Sequence, residues 1–188
     1  MDRSGEVPAV KSALREYFEA IVVAVVLAAF IITFVAQSYV VLGSSMEPTL
    51  TDGQRLLVDK LTYRFRPPRR GEIIVFNYPA DPTRKFIKRV VGVPGDTVLI
   101  AGHRLILNGR PVAEPYVKDT MYGTFGPVTV PEGHVFVLGD NRNHSDDSRY
   151  PDVGPVPYGL IVGLARITYW PPGRMGLVRV AETLAAMP

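Results

Sequence analysis

The chain has 188 residues, 47% of them hydrophobic, no cysteine and a formal net charge of +3 at pH 7. The missing cysteine excludes a thiol nucleophile, a thiolate metal site and disulfides. The small basic excess is scattered, with no basic stripe and no helix-turn-helix signature, so nucleic acid is not an expected partner.

Taken in chain order, residues 1–16 read as a cytoplasmic segment, 17–38 as a transmembrane anchor and 39–188 as one extracytoplasmic domain. Ala20 to Ala36 is apolar and carries no charge. As a helix it covers roughly 25 Å, and continuing to Leu42 gives about 35 Å, against the ~30 Å hydrocarbon core of a bilayer. A cleavable secretory signal is the rival reading. The apolar run is long for that, and Phe34 is bulky where cleavage before Gln37 needs a small residue. Lys11 and Arg15 precede the span and no Lys or Arg follows until Arg55, so the positive-inside bias puts the N-terminus in the cytoplasm. Leu177–Met187 is too short for a second span and contains Arg179 and Glu182.

The remainder reads as short strands: Arg55–Asp59, Glu72–Tyr78, Phe86–Val93, Thr97–Ala101, Arg104–Leu107, His134–Leu138 and Leu160–Trp170. Turn residues separate them, among them Asp52-Gly53, Pro94-Gly95-Asp96 and Asn108-Gly109, the last a hairpin signal. The expected fold is mainly β, an antiparallel domain behind one N-terminal helix. Tyr63 to Arg70 mixes aromatics with Arg and reads as a solvated basic turn, with contact to lipid headgroups as the alternative.

Ser45 stands in a Gly-Ser-Ser-Met-Glu-Pro segment close behind the span. Turn serines commonly do no more than satisfy backbone groups, and the segment is not the Gly-x-Ser-x-Gly elbow. Lys88 lies in Phe86-Ile87-Lys88-Arg89-Val90-Val91. Strand alternation points Phe86, Lys88 and Val90 to one side and Ile87, Arg89 and Val91 to the other. A lysine desolvated between Phe and Val loses basicity and can act as a neutral base. A strand-edge lysine that extends its amine to water is the alternative, and the strand taken alone slightly favours it. The third element is Gly139 to Arg149, dense in Asx and Ser with two Arg, which predicts a loop locked by its own hydrogen bonds and ion pairs. It lacks the spacing of a calcium loop. Of the histidines, His103 and His134 read as surface residues, and His144 is the one rival base.

Three blocks together resemble the bacterial type I signal peptidases. They are Ser45-Met46-x-Pro48-Thr49-Leu50; Arg70 to Phe76 with Phe86 to Asp96; and Gly139-Asp140-Asn141-Arg142 through Ser145-x-Asp147-Ser148-Arg149. The short connection from Leu107 to Val128 is similar to the compact, single-anchor members. The resemblance implies a membrane-anchored serine endopeptidase that removes signal peptides from secretory pre-proteins after small residues at −1 and −3. It implies Ser45 as nucleophile, Lys88 as general base and Ser145 as a hydroxyl bonded to the lysine amine. It implies an Asp147–Arg149 ion pair, with Asp140 and Arg142 in support. The Ser45 N–H would serve the oxyanion hole. The second donor of some members is a serine at the position of Gly43, and Ser44 or a backbone N–H would replace it. Small-residue pockets map to Tyr39, Val41, Met46, Leu50, Leu56, Val75 and Ile87. No cofactor or metal is implied, and the enzyme is expected to be a monomer in contact with the lipid bilayer. Two alternatives remain: another Ser–Lys peptidase of the self-cleaving repressor type, and a non-catalytic membrane-anchored binding protein.

Overall fold

The structure is a computed structural model that describes residues 7–187, with side chains from residue 13 onward. Part of the expected cytoplasmic segment, residues 1–6, and the Lys11 side chain therefore lie outside the described residues. The described residues up to Ala36 form one compact unit and those from Gln37 onward a second.

The first unit is helix α1 (Val7–Phe30), which continues as a π-helical stretch, Ile31–Val35. Ala13–Val35 is 23 residues long with a mean hydropathy of 2.8 and none of it buried within the protein. By length and composition it is able to cross a membrane. Its polar N-terminal end carries an exposed Arg15–Glu19 pair at 2.7 Å, one helical turn apart.

The second unit is built on antiparallel strands. They are β1 (Ala36–Val40), β2 (Arg55–Asp59), β3 (Ile73–Tyr78), β4 (Asp81–Gly92), β5 (Thr97–Ala101), β6 (Arg104–Leu107), β7 (Arg110–Pro111), β8 (Phe125–Thr129), β9 (His134–Leu138), β10 (Val156–Pro157), β11 (Ile161–Trp170) and β12 (Gly176–Leu177). One sheet runs β1-β2-β11-β3-β4-β9-β10, with β12 added to β11; a smaller one runs β7-β6-β5-β8. Single turns of helix, α2 (Thr62–Phe65) and α3 (Glu182–Ala185), are the α-helices described outside the first unit.

The seven strands expected from the sequence all form. Four have the expected ends; β3 and β11 start one residue later than expected and β4 starts at Asp81. Five strands were not foreseen: β1, β7, β8, β10 and β12. Asn108 (φ 52°) and Gly109 (φ 76°) both take the left-handed conformation, which a two-residue hairpin between β6 and β7 requires.

Alternation along β4 sorts its side chains between cores. Phe86 and Val90 pack with Ile74, Phe76, Val135 and Val137. Ile87 packs with Val75, Met46 and Leu56, and Val91 joins Val98, Leu105 and Phe136 under the small sheet. β4 thus sets Lys88 on the side of Phe86 and Val90, and Arg89 on the side of Ile87 and Val91.

Candidate active site

Ser45 lies in the turn between β1 and β2. Backbone bonds from Val41 N to Gln54 O (2.8 Å) and from Gly53 N to Val41 O (3.0 Å) close the loop. Met46 and Leu50, both almost fully buried, anchor it to the apolar cluster below. Gly43 (φ +85°) turns the chain, and its N–H donates to Asp52 Oδ1 at 2.7 Å. Ser44 is exposed and Ser45 half-buried.

Lys88 Nζ is hydrogen-bonded to Ser45 Oγ at 2.7 Å. The lysine is 4% exposed, and its amine sits 5.1 Å from the centre of the Phe86 ring. Burial pulls its pKa down to about 8, against the opposing pull of Asp147, Asp146 and Asp140. Desolvation disfavours the ammonium more than three carboxylates at a distance favour it. The alternative of an amine extended to water is therefore not what the strand adopts.

The loop after β9 wraps the serine turn. Asn141 N–H donates to Ser45 O at 3.0 Å and its side-chain amide to Ser44 O at 3.1 Å. Asp147 accepts from Arg149 Nε at 2.7 Å and from Gly139 N–H at 3.1 Å. Asp140 binds Arg89 through both oxygens, at 2.8 and 2.7 Å, and accepts from Thr49 Oγ1 at 2.5 Å. Arg142 pairs with Glu114 through two bonds of 2.6 Å. The hydrogen bond from Ser145 to Lys88 implied by the resemblance does not form: Ser145 Oγ is buried and has no partner among the described residues. It is turned towards Gly139, where an added Cβ would lie 2.2 Å from it and 2.5 Å from Ser45 O. Such contacts leave room for glycine alone.

The seven residues mapped to small-residue pockets come together in a single apolar cluster. Val41, Met46, Leu50, Leu56 and Val75 are buried in it, whereas Tyr39 and Ile87 remain partly exposed. Val75 and Ile87 face each other across β3 and β4. His144 is exposed, with Nδ1 3.3 Å from Asn141 Oδ1; His103 and His134 bond backbone carbonyls of Met121 and Glu132. Among the described residues no three His, Asp or Glu are grouped to hold a metal ion.

Residues 14–170 match the family described as signal peptidase, peptidase S26. The chain belongs to this family. Signal peptidase I of Leptolyngbya laminosa is 43% identical over 177 residues, covering 90% of this chain and 86% of that protein. Signal peptidase I T of Bacillus subtilis (strain 168) is 40% identical over 166 residues, 83% of this chain and 85% of that one. Signal peptidase I of Mycobacterium tuberculosis (strain ATCC 25618 / H37Rv) is 37% identical over 228 residues, 92% and 78%. A solved signal peptidase I from Enterococcus faecalis V583 aligns at 35% identity over 53% of this chain and 97% of that one, with a TM-score of 0.46.

Sequence reasoning missed several residues that bear on the site of this S26 peptidase. Arg89 is 1% exposed and serves as the partner of Asp140. An Arg flanked by inward-facing Ile87 and Val91 was the available signal: a buried guanidinium requires a carboxylate. Glu114 and Tyr116 sit in irregular chain between β7 and β8, and nothing local marks them. Gly139 was visible only as the first residue of its motif.

Proposed function

We propose that Ser45 is the nucleophile and Lys88 the general base of a membrane-anchored signal peptidase that cleaves secretory pre-proteins after small residues at −1 and −3. The observation that carries this reading is the 2.7 Å bond between Ser45 Oγ and a buried amine whose pKa is drawn down to about 8. A neutral Lys88 takes the Ser45 proton as Oγ attacks the scissile carbonyl, then gives it to the departing amine. Water, deprotonated by the same amine, releases the acyl group. The Ser45 N–H donates to no protein acceptor among the described residues, which leaves it for the oxyanion. Gly43 N–H is taken by Asp52, so Ser44 is the candidate second donor.

Tyr39 and Ile87 are the partly exposed members among the seven mapped residues, and they offer a shallow surface to the small side chains of an Ala-x-Ala end. A substrate of this kind is itself in the membrane, so an enzyme anchored by Ala13–Val35 meets it by diffusion in two dimensions. The N-terminus lies in the cytoplasm and the catalytic unit on the outer face. Purified protein in detergent, incubated with a pre-protein ending its signal in Ala-x-Ala, is expected to cut after that triplet. Ser45→Ala is expected to leave the pre-protein intact. Cleavage by Ser45→Ala, or cutting elsewhere by the parent, contradicts the reading.

A further inference from the structure

Glu114 and Tyr116 lie far in sequence from every residue assigned to the reaction, yet they close the network that holds the serine turn. Arg142, 1% exposed, is bound by both Glu114 oxygens at 2.6 Å. Tyr116 donates its hydroxyl to Glu114 Oε1 at 2.6 Å. Its ring is close to two guanidinium groups, 4.3 Å from that of Arg89 and 5.9 Å from that of Arg142. Those two arginines grip the same short stretch of loop: Arg89 binds Asp140, and Arg142 Nε donates to Gly139 O at 3.1 Å. The next residue in the loop is Asn141, which holds the backbone carbonyls of both Ser44 and Ser45.

We propose that Glu114, seated by Tyr116, is a positioning residue for the Ser45 nucleophile, acting through Arg142 on the loop that carries Asn141. The physical reason is the geometry of the chain of bonds. A bidentate carboxylate fixes a guanidinium in orientation as well as in place. Arg142 so fixed fixes Gly139 O, and with it the approach of Asn141 to Ser45 O. Glu114 belongs to the segment leading to the small sheet, so that segment braces the reaction centre without touching substrate. The apolar cluster under the substrate surface lies outside this network. Loss of the brace therefore acts on turnover and spares binding. A displacement of an ångström at a reacting atom costs up to about a hundredfold in rate.

This inference rests on Ser45 being the nucleophile, and the test separates the two. Full-length Glu114→Gln, Glu114→Ala, Tyr116→Phe, Arg142→Met and Glu114→Gln/Arg142→Met are purified with the parent and with Ser45→Ala. Pre-protein cleavage is measured well below each variant's unfolding midpoint, and kcat is expressed per folded molecule. Glu114→Gln keeps the size of the side chain and guards against a Glu114→Ala protein that does not fold. Expected is a fall in kcat on the order of tenfold or more for Glu114→Gln, with KM within about threefold of the parent. Tyr116→Phe falls in the same direction and by less. In the Arg142→Met background, Glu114→Gln adds less than about twofold, as for residues acting as one unit. A Glu114→Gln enzyme with parental kcat and a lowered unfolding midpoint overturns the proposal, since that is a purely structural glutamate. Effects of Glu114→Gln and Arg142→Met that multiply independently overturn the route through Arg142. An active Ser45→Ala sinks the nucleophile assignment itself, whatever the Glu114 variants do.

Discussion

Lys88 is poised by what surrounds it. Ile74 faces it across β3, and Phe86 and Val90 flank it on its own side of β4. With a folded pKa of about 8 and an unfolded value near ~10.4, the residue penalises folding. The penalty is full below pH 8, shrinks as pH rises from 8 to about 10.4, and is gone above that range. The gap between the two values corresponds to about 3 kcal/mol. Removing the amine also removes its bond to Ser45, worth roughly 1 kcal/mol. Lys88→Met is therefore expected to be inactive yet about 2 kcal/mol more stable than the parent at pH 7, with the advantage lost by pH 11. Urea unfolding of both proteins at the two pH values checks this. A Met variant less stable at pH 7 means a charged, well-paired structural lysine. Alternation in β4 left Lys88 open to two readings, a desolvated amine or one extended to water, and the burial of the side chain decides for the first. Its pairing with Ser45 was foreseen only through the family resemblance, because it crosses 43 residues of chain.

At the scale of elements, the loop from Gly139 to Arg149 was legible as self-bonded, and the Asp147–Arg149 pair is there. The partners of Asp140 and Arg142 were not legible, since both come from other elements, Arg89 on β4 and Glu114 before β8. β8 was missed because Gly126 and Pro127 interrupt its apolar pattern, and β1 because it continues the apolar run of the span. Gly139→Ala is expected to abolish turnover while the protein still folds. Its Cβ would press on Ser145 Oγ and on Ser45 O, and crowding of this kind costs about 1–3 kcal/mol. Cleavage rate and unfolding midpoint, measured together, check it; a Gly139→Ala enzyme with parental kcat removes the loop from the account. β3 and β4 also separate two pocket residues by exposure. Ile87→Ala is expected to admit larger residues at −1 and −3. Val75→Ala, with Val75 fully buried, is expected chiefly to lower stability by roughly 2 kcal/mol. A panel of altered cleavage sites gives the profile, and an unchanged profile for Ile87→Ala shows that the pocket lies elsewhere.

At the scale of the whole molecule, a β peptidase unit follows one helix able to cross a bilayer. Both were legible in composition, because an uncharged apolar run and alternating strands are different periodicities. In the proposed topology the bias of Lys11 and Arg15 puts the N-terminus in the cytoplasm. Protease added to intact spheroplasts is expected to digest the catalytic unit and to spare a reporter fused at residue 1. A protected catalytic unit reverses the topology and removes access to translocated pre-proteins. The central claim, that a neutral Lys88 activates Ser45, is tested most directly by the pH dependence of kcat/KM, which reports the pKa of the free enzyme's base. The expected profile rises with pH to a plateau through a single midpoint near 8, and it is unchanged in His144→Ala. A midpoint near ~6.5, the ordinary histidine value, that disappears in His144→Ala contradicts the account and gives the base to histidine.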